Sequence, residues 1–245
     1  MDEVILRLDK INYNFPFIFV EGTGKEYFLF GLENERLKIA VKDFFISKFS
    51  VTQVLWEYIM GYNPSHFADK DKPVEGVSYN DIVKNDGFLQ RINASTLKEE
   101  ITKQFKEAHS VQFRLPSETE WEYAARGGIH WTDYFVYSGS DNIDEVGWYK
   151  RNSQNESKPV GQKKPNQLGI YDMCGNLWEW CHDYFQRDIN KIPNDGSPCL
   201  EPGPDRVLRG GCYHNGGIHC TVMKRYEISP ESKDPCIGFR LVLSF

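Results

Sequence analysis

The stretch Phe113-Arg114-Leu115-Pro116-Ser117-Glu118-Thr119-Glu120-Trp121-Glu122-Tyr123-Ala124-Ala125-Arg126-Gly127-Gly128 reads as one helix with both ends marked. Ser117 and Glu120 form a capping box, in which serine at the cap and glutamate three residues later satisfy each other's orphan backbone amides. Trp121, Ala124 and Ala125 supply the buried stripe of that helix, and Gly127-Gly128 ends it.

Upstream, strand formers dominate Phe17–Val20, Tyr27–Phe30 and Asp43–Phe49, with a turn at Gly22-Thr23-Gly24-Lys25. A helix follows Thr52, with Leu55, Tyr58 and Ile59 on one face and Gly61 as its stop. After an extended Pro73–Val77, Ser78 opens a second helix with Asp81 in its first turn, where a carboxylate suits the dipole. Residues 97–109 read as a charged helical or loop insertion. Downstream of Gly128 the character changes. Gly, Pro, Asn and Asp become frequent and helical periodicity nearly vanishes, so something other than regular structure, such as a metal ion, is expected to hold the long loops. With no internal repeat and no break, residues 1–245 read as a single domain.

Composition limits the function classes. An apolar fraction of 40% and an aromatic fraction of 14% suit a well-filled core. A net charge of -6 argues against a nucleic-acid surface. The opening Met1-Asp2-Glu3 is acidic where a secretory signal would be basic, and no run nears the roughly 20 apolar residues that span a bilayer. A cytoplasmic protein without a membrane partner is therefore expected. All six cysteines fall between Cys174 and Cys236, and in that compartment they read as reduced and mostly buried thiols.

Seven segments in order, Phe45–Thr52, Pro73–Ser78, Phe113–Gly128, Lys158–Gly161, Pro165–Trp180, Arg206–Gly211 and Ile237–Leu241, are similar to those of the formylglycine-generating-enzyme (sulfatase-modifying factor) family. The resemblance is strongest over 44–245. It implies a single α+β domain akin to C-type lectins, irregular and low in regular secondary structure in its C-terminal half.

What the resemblance implies for chemistry is divided. Family members that make formylglycine bind Cu(I) through two cysteine thiolates, soft ligands for a soft ion, in a motif similar to Gly-Gly-Ser-Tyr-x-Cys-x-x-x-x-Cys. Here the sequence reads Gly210-Gly211-Cys212-Tyr213-His214-Asn215-Gly216-Gly217-Ile218-His219-Cys220. Cys220 falls on the second cysteine, Asn215 on the first, and an amide does not replace a thiolate toward Cu(I). Cys212 takes the family's serine position in the same pocket, which Trp178 also lines. Cys212 and Cys220, with His214 and His219 close in sequence, read as a relocated Cu(I) site, a zinc site of the Cys2His2 type, a disulfide, or two buried thiols beside loop histidines.

The resemblance also implies a structural Ca²⁺ held by the side chains of Asp172 and Glu179 and the carbonyls of Gly175 and Leu177, hard oxygens that suit the ion. A second family calcium site is not evident over 146–157.

Lacking the usual Cu(I) dithiolate, the chain reads as a recognition or accessory module for a protein or peptide ligand. Its loop face lies within residues 212–236 and carries Tyr213, His214, Asn215, Ile218, His219, Lys224, Tyr226, Glu227 and Ile228. Some members of the family are variable ligand-binding proteins, and this segment fits their length pattern. The alternative is a copper-dependent oxidase converting a sulfatase-type cysteine to formylglycine, with Cys220, Cys212 and Trp178 as its site. The family's iron-dependent C–S bond-forming enzymes are set aside because the first histidine is His66. No Gly-x-Ser-x-Gly elbow appears, and Gly22–Lys25 is too short for a P-loop.

Overall fold

The computed structural model describes residues 2–32, 35–105, 110–131 and 134–244. Its elements run β1 (Glu3–Leu8), β2 (Tyr13–Val20), β3 (Phe28–Leu32), β4 (Glu35–Ile39), β5 (Phe44–Ser47), α1 (Gln53–Met60), α2 (Tyr79–Val83), α3 (Phe88–Asn93), α4 (Thr96–Thr102) and β6 (Gln112–Arg114). Then come α5 (Glu118–Ala125), α6 (Ile143–Val146), β7 (Trp178–Tyr184), β8 (Arg206–Arg209), β9 (Arg225–Ile228), β10 (Ile237–Gly238) and β11 (Val242–Ser244).

One sheet has the order β1-β2-β5-β11-β6, a second β10-β7-β8-β9, and β3-β4 form a hairpin. The C-terminal β11 lies between β5 and β6, antiparallel to both, so the two ends of the chain close one sheet. No helix among the described residues is long and apolar enough to cross a membrane.

The expected helix starts are found, with one difference in how they are made. The predicted capping box of Ser117 with Glu120 forms on α5, and Ser78 with Asp81, expected only as the start and first turn of α2, forms a second one. Thr52 occupies the cap position of α1 without capping it, because its hydroxyl bonds the Tyr13 phenol at 2.7 Å instead. On α1 the buried residues are Gln53, Leu55 and Trp56, while Tyr58 is 36% exposed. Trp56 turns inward because Phe88 of α3, a helix not expected from the sequence, stacks on it at 5.3 Å. The insertion expected over 97–109 is helical as α4, and residues 106–109 lie outside the described residues.

One further difference and one expected feature share a cause. Helix α5 is buried on every side, not only along Trp121, Ala124 and Ala125. The C-terminal part is low in regular structure, as expected, and its short strands β7–β10 form one sheet.

Both follow from buried charge. Glu179, Arg209 and Arg225 stand opposite one another across β7, β8 and β9, pointing to one side of the sheet. On that side they meet α5. Arg209, fully buried, donates to Glu118 at 2.8 Å, to Glu122 at 2.6 Å and to the Val222 carbonyl at 2.6 Å. Arg225 grips Glu118 through two nitrogens, at 2.6 and 2.7 Å. Arg126 holds Glu122 from within the helix. Burial raises the Glu122 pKa, but Arg209 and Arg126 beside it outweigh that and hold it below its usual value. A charge-rich strand and helix therefore look like surface segments in sequence and lie in the core in space.

The long segment between α6 and β7 is held by asparagine and aspartate side chains that replace missing ladder bonds. Asn176 accepts from the Lys158 N–H at 2.9 Å and donates to the Lys158 carbonyl at 3.0 Å. Asn166 caps the end of α5 by donating to the Ala124 carbonyl at 2.8 Å.

Removing Arg209 leaves two carboxylates in the core short of a partner. Arg209→Met is expected to lower stability by about 3–5 kcal/mol, read as a fall in the urea midpoint; an unchanged midpoint would show that Arg225 and Arg126 suffice.

Asp183 supplies a pH dependence. It is buried between the Glu118 N–H (2.7 Å) and the Cys199 N–H (2.8 Å), and burial, followed by repulsion from Glu118, raises its carboxyl from 3.8 to about 7. Between those two values the folded protein holds a proton that the unfolded chain has lost, so this group's contribution falls as pH rises from about 4 to about 7. Asp183→Asn removes that slope. The variant is expected to be less stable than wild type at pH 5, with the gap narrowing by pH 8; a gap independent of pH overturns the assignment.

Candidate functional site

Strand β7 divides two packing layers and sets the site. Alternation sends Glu179 toward α5 and sends Trp178 and Trp180 to the opposite side, where they join a core cluster with Leu208, Cys212 and Phe239. The Trp180 indole donates to the Val77 carbonyl at 3.0 Å. Trp178 stacks instead on Tyr226, with ring centroids 5.4 Å apart and planes at 28°.

On the other side of the strand the Glu179 carboxylate is saturated. Oε1 accepts from the Ser50 hydroxyl at 2.6 Å and from Arg240 at 2.9 Å. Oε2 accepts from the Trp121 indole at 2.7 Å and from Arg240 Nε at 2.6 Å. Arg240 also donates to the carbonyls of Ser47 and Tyr171, each at 3.0 Å.

This corrects the expected calcium set. Glu179 does not fit as a ligand, since its four acceptor positions are filled and a guanidinium stands where a cation would approach. Asp172 does fit. Buried at φ 58°, it accepts from the Gly161 N–H at 2.8 Å through Oδ2, while Oδ1 has no partner among the described residues. Burial raises its carboxyl to about 6. Gly175 is required next to it, because at φ 84° a Cβ would lie 2.2 Å from the Trp148 carbonyl oxygen.

The loop after β8 carries the cysteine question. Gly211, at φ 76°, lets the chain pass so close to Cys220 that a Cβ would sit 2.7 Å from its sulfur. Asn215 is a turn residue, its side-chain oxygen accepting from the Cys212 N–H at 3.1 Å and its N–H donating to the Cys212 carbonyl at 3.0 Å.

No disulfide joins Cys212 and Cys220. The Cys220 sulfur lies 4.0 Å from the Cys212 carbonyl and 3.9 Å from the Gly216 carbonyl, and burial raises its thiol to about 12. Cys212 is buried in the core cluster against which Cys236 packs. Nor does a Cys2His2 grouping form: His214 turns to Asn155 at 2.6 Å, His219 is exposed, and no three His, Cys, Asp or Glu among the described residues are placed to share a metal. All six cysteines are free thiols.

The loop face is narrower than the sequence suggested. Ile218 is 76% exposed and Tyr226 47%, with His214 and His219 also at the surface. Tyr213 is buried, its ring edge-on to Phe67 at 5.7 Å, so it supports the face from behind. Glu227 is engaged by Arg187 at 3.1 Å. Asn215, Lys224 and Ile228 are half-buried.

Sequence reasoning missed Arg240 and the Trp178–Tyr226 stack. Alternation in Trp178-Glu179-Trp180 was the available signal for the stack, and it places the two tryptophans on the face opposite the glutamate.

Comparisons place this architecture. A family model described as the sulfatase-modifying factor enzyme 1-like domain matches residues 18–245. The chaperone protein LppX of Paenibacillus barcinonensis is 36% identical over 246 residues, covering 84% of this chain and 82% of that protein. The formylglycine-generating enzyme of Streptomyces coelicolor is 35% identical over 146 residues, 52% of this chain and 45% of the enzyme, so the match spans less than half of the enzyme's length.

Among solved structures, Treponema denticola variable protein 1 aligns over 98% of both chains with a TM-score of 0.81 and 27% identity. PvdO from Pseudomonas aeruginosa also aligns over 98% of both, with a TM-score of 0.74 and 20% identity, a likeness of fold alone. The α+β architecture is the one these proteins share, and with the model matching from residue 18 to the C-terminus the chain belongs to the sulfatase-modifying factor enzyme 1-like family.

Proposed function

We propose that this member of the family is a recognition or accessory module that binds a protein or peptide partner on the face carrying Ile218, Tyr226, His214 and His219. The observation that carries the reading is Asn215. At the position where the formylglycine-generating members hold a thiolate, this chain holds an amide engaged with the Cys212 N–H. The nearby Cys220 thiol, raised to about 12, keeps its proton at neutral pH.

The surface also suits recognition. Exposed Ile218 and Tyr226, the latter held rigid by its stack on Trp178, offer apolar area, and His214 and His219 at the surface offer hydrogen-bonding groups. A relative named as a chaperone, matched over most of both chains, supports a role in binding another protein.

The competing reading is copper-dependent oxidation of a sulfatase-type cysteine, and one experiment separates the two. A Cys-x-Pro-x-Arg peptide incubated aerobically with the reduced, Cu(I)-loaded protein is expected to return unchanged by mass spectrometry, while a formylglycine-generating enzyme converts it. Conversion to formylglycine ends the recognition reading. In parallel, Ile218→Asp and Tyr226→Asp baits are expected to lose the partner that the wild-type bait captures, without moving the melting temperature; retained capture places the binding face elsewhere.

A structural calcium ion belongs to the same reading, held by Asp172 with the carbonyls of Gly175 and Leu177 and without Glu179. Its support is the buried Asp172 oxygen that lacks a donor. Millimolar calcium is expected to raise the melting temperature of wild type and not that of Asp172→Ala, and equal midpoints in calcium and in chelator end the idea.

A further inference from the structure

Both edges of the first sheet are closed by side-chain amides. On β1 the Ile5 N–H donates to Gln104 Oε1 at 3.1 Å, and the Ile5 carbonyl accepts from Gln104 Nε2 at 2.7 Å. On β6 the Phe113 N–H donates to Asn93 Oδ1 at 2.9 Å, and its carbonyl accepts from Asn93 Nδ2 at 2.8 Å. Each amide gives the backbone what a further strand would give, so neither edge is left to recruit one.

The second sheet is closed at one side only. Its edge strand β10 is two residues long, and the Val74 carbonyl passes so close to Gly238 that a Cβ there would lie 2.5 Å from it. Edge strand β9 has no such cover. Among the described residues its backbone groups are bonded to β8 alone. Tyr226 is exposed, and Arg225, Glu227 and Ile228 are half-buried. In an antiparallel ladder every second residue of such a strand turns its N–H and carbonyl outward.

We propose that β9 is a docking edge: an extended segment of the partner protein adds to it as a fifth strand, with an apolar residue beside Tyr226 and a basic residue beside Glu227. The inference rests on the recognition role proposed above and specifies how that role is carried out.

The two sides of the strand set the chemistry of the incoming segment. Tyr226 and Ile228 alternate with Arg225 and Glu227. On the first side Tyr226 stacks on Trp178 and Ile228 packs on the core cluster, so a neighbouring side chain there meets carbon. On the second, Glu227 lines a groove of about 460 Å³.

Four carboxylates line that groove, Asp188, Glu201, Asp205 and Glu227, against two cations, Arg187 and Lys191. Both cations are already paired, Arg187 with Glu227 at 3.1 Å and Lys191 with Glu201 at 2.6 Å. The carboxylates left in excess are complemented by a lysine or arginine of the added strand. A second copy of this chain would bring the same acidic groove and a net charge of -6 with it, and repulsion disfavours it as the occupant.

The test uses the full chain and a hexapeptide of alternating valine and lysine, acetylated and amidated, read by backbone amide exchange. With the peptide at about ten times its dissociation constant, the outward amides of β9 are expected to exchange about tenfold more slowly. Ile5 and Phe113 are expected to be unchanged and report that the fold is intact. Methylating the alternate peptide nitrogens on one side of the extended chain is expected to abolish the protection, and methylating the other set to leave it. Glu227→Lys is expected to lose protection by this peptide and to gain it from a valine–glutamate peptide.

Three results overturn the proposal: no protection of β9 at millimolar peptide, equal effects of the two methylated sets, or equal protection of wild type by the lysine and glutamate peptides. Protection that rises with protein concentration in the absence of peptide overturns it as well, because it assigns the edge to a second copy. Each of these leaves the recognition role standing, which fails separately if Ile218→Asp and Tyr226→Asp baits retain their partner.

Discussion

The structure depends on carboxylates that are paired with arginines inside the core. Helix α5 carries Glu118 and Glu122 into a region with no water to solvate them, and each is met by a guanidinium: Arg209 and Arg225 on one, Arg209 and Arg126 on the other. Beside them Arg240 and the Trp121 indole close on Glu179. Such pairs add little net stability over well-packed apolar residues, because desolvation offsets much of the Coulombic gain. What they add here is specification. A helix packed by apolar contacts alone has several ways to lie on a sheet, whereas α5 has one that matches every carboxylate to its arginine.

That constraint reaches the surface through strand alternation. With Glu179 turned toward α5, Trp178 must turn away from it, and register then sets Tyr226 within stacking distance. The same β7 backbone receives the Cys236 carbonyl through the Trp178 N–H, which sets β10 against it. The Trp178–Tyr226 stack and the β10 edge are therefore both placed by a buried ion pair on the far side of one strand. A shift of β7 by one residue would turn Glu179 into the apolar layer and dissolve both.

What was legible in the sequence follows the same division. Local chemistry read correctly: the Ser117–Glu120 capping box, the start of α2 at Ser78, the Gly61 stop, the early strands and the order of the family segments each depend on residues close in the chain. Features that depend on distant partners did not. Glu118 and Glu122 look like solvated positions until Arg209, far along the chain, is placed over them. Glu179 and Asp172 read alike as oxygen ligands in one motif, yet Arg240 saturates the first and leaves the second an oxygen without a donor. Tyr213 looked like part of a binding face, and Phe67 from another loop buries it.

Asn215 shows why fold and chemistry separate so readily in this family. A loop that must turn sharply after Gly210-Gly211 needs an acceptor for the Cys212 N–H, and the Asn215 side chain supplies it at 3.1 Å. A thiolate at this position would serve a metal and would be a poorer acceptor for the turn. The amide serves the turn and is useless to a soft metal. The backbone path of the loop is held by Glu179–Arg240 on one side and by the turn on the other. Neither support needs a metal at position 215, so the frame stands whatever chemistry that position carries.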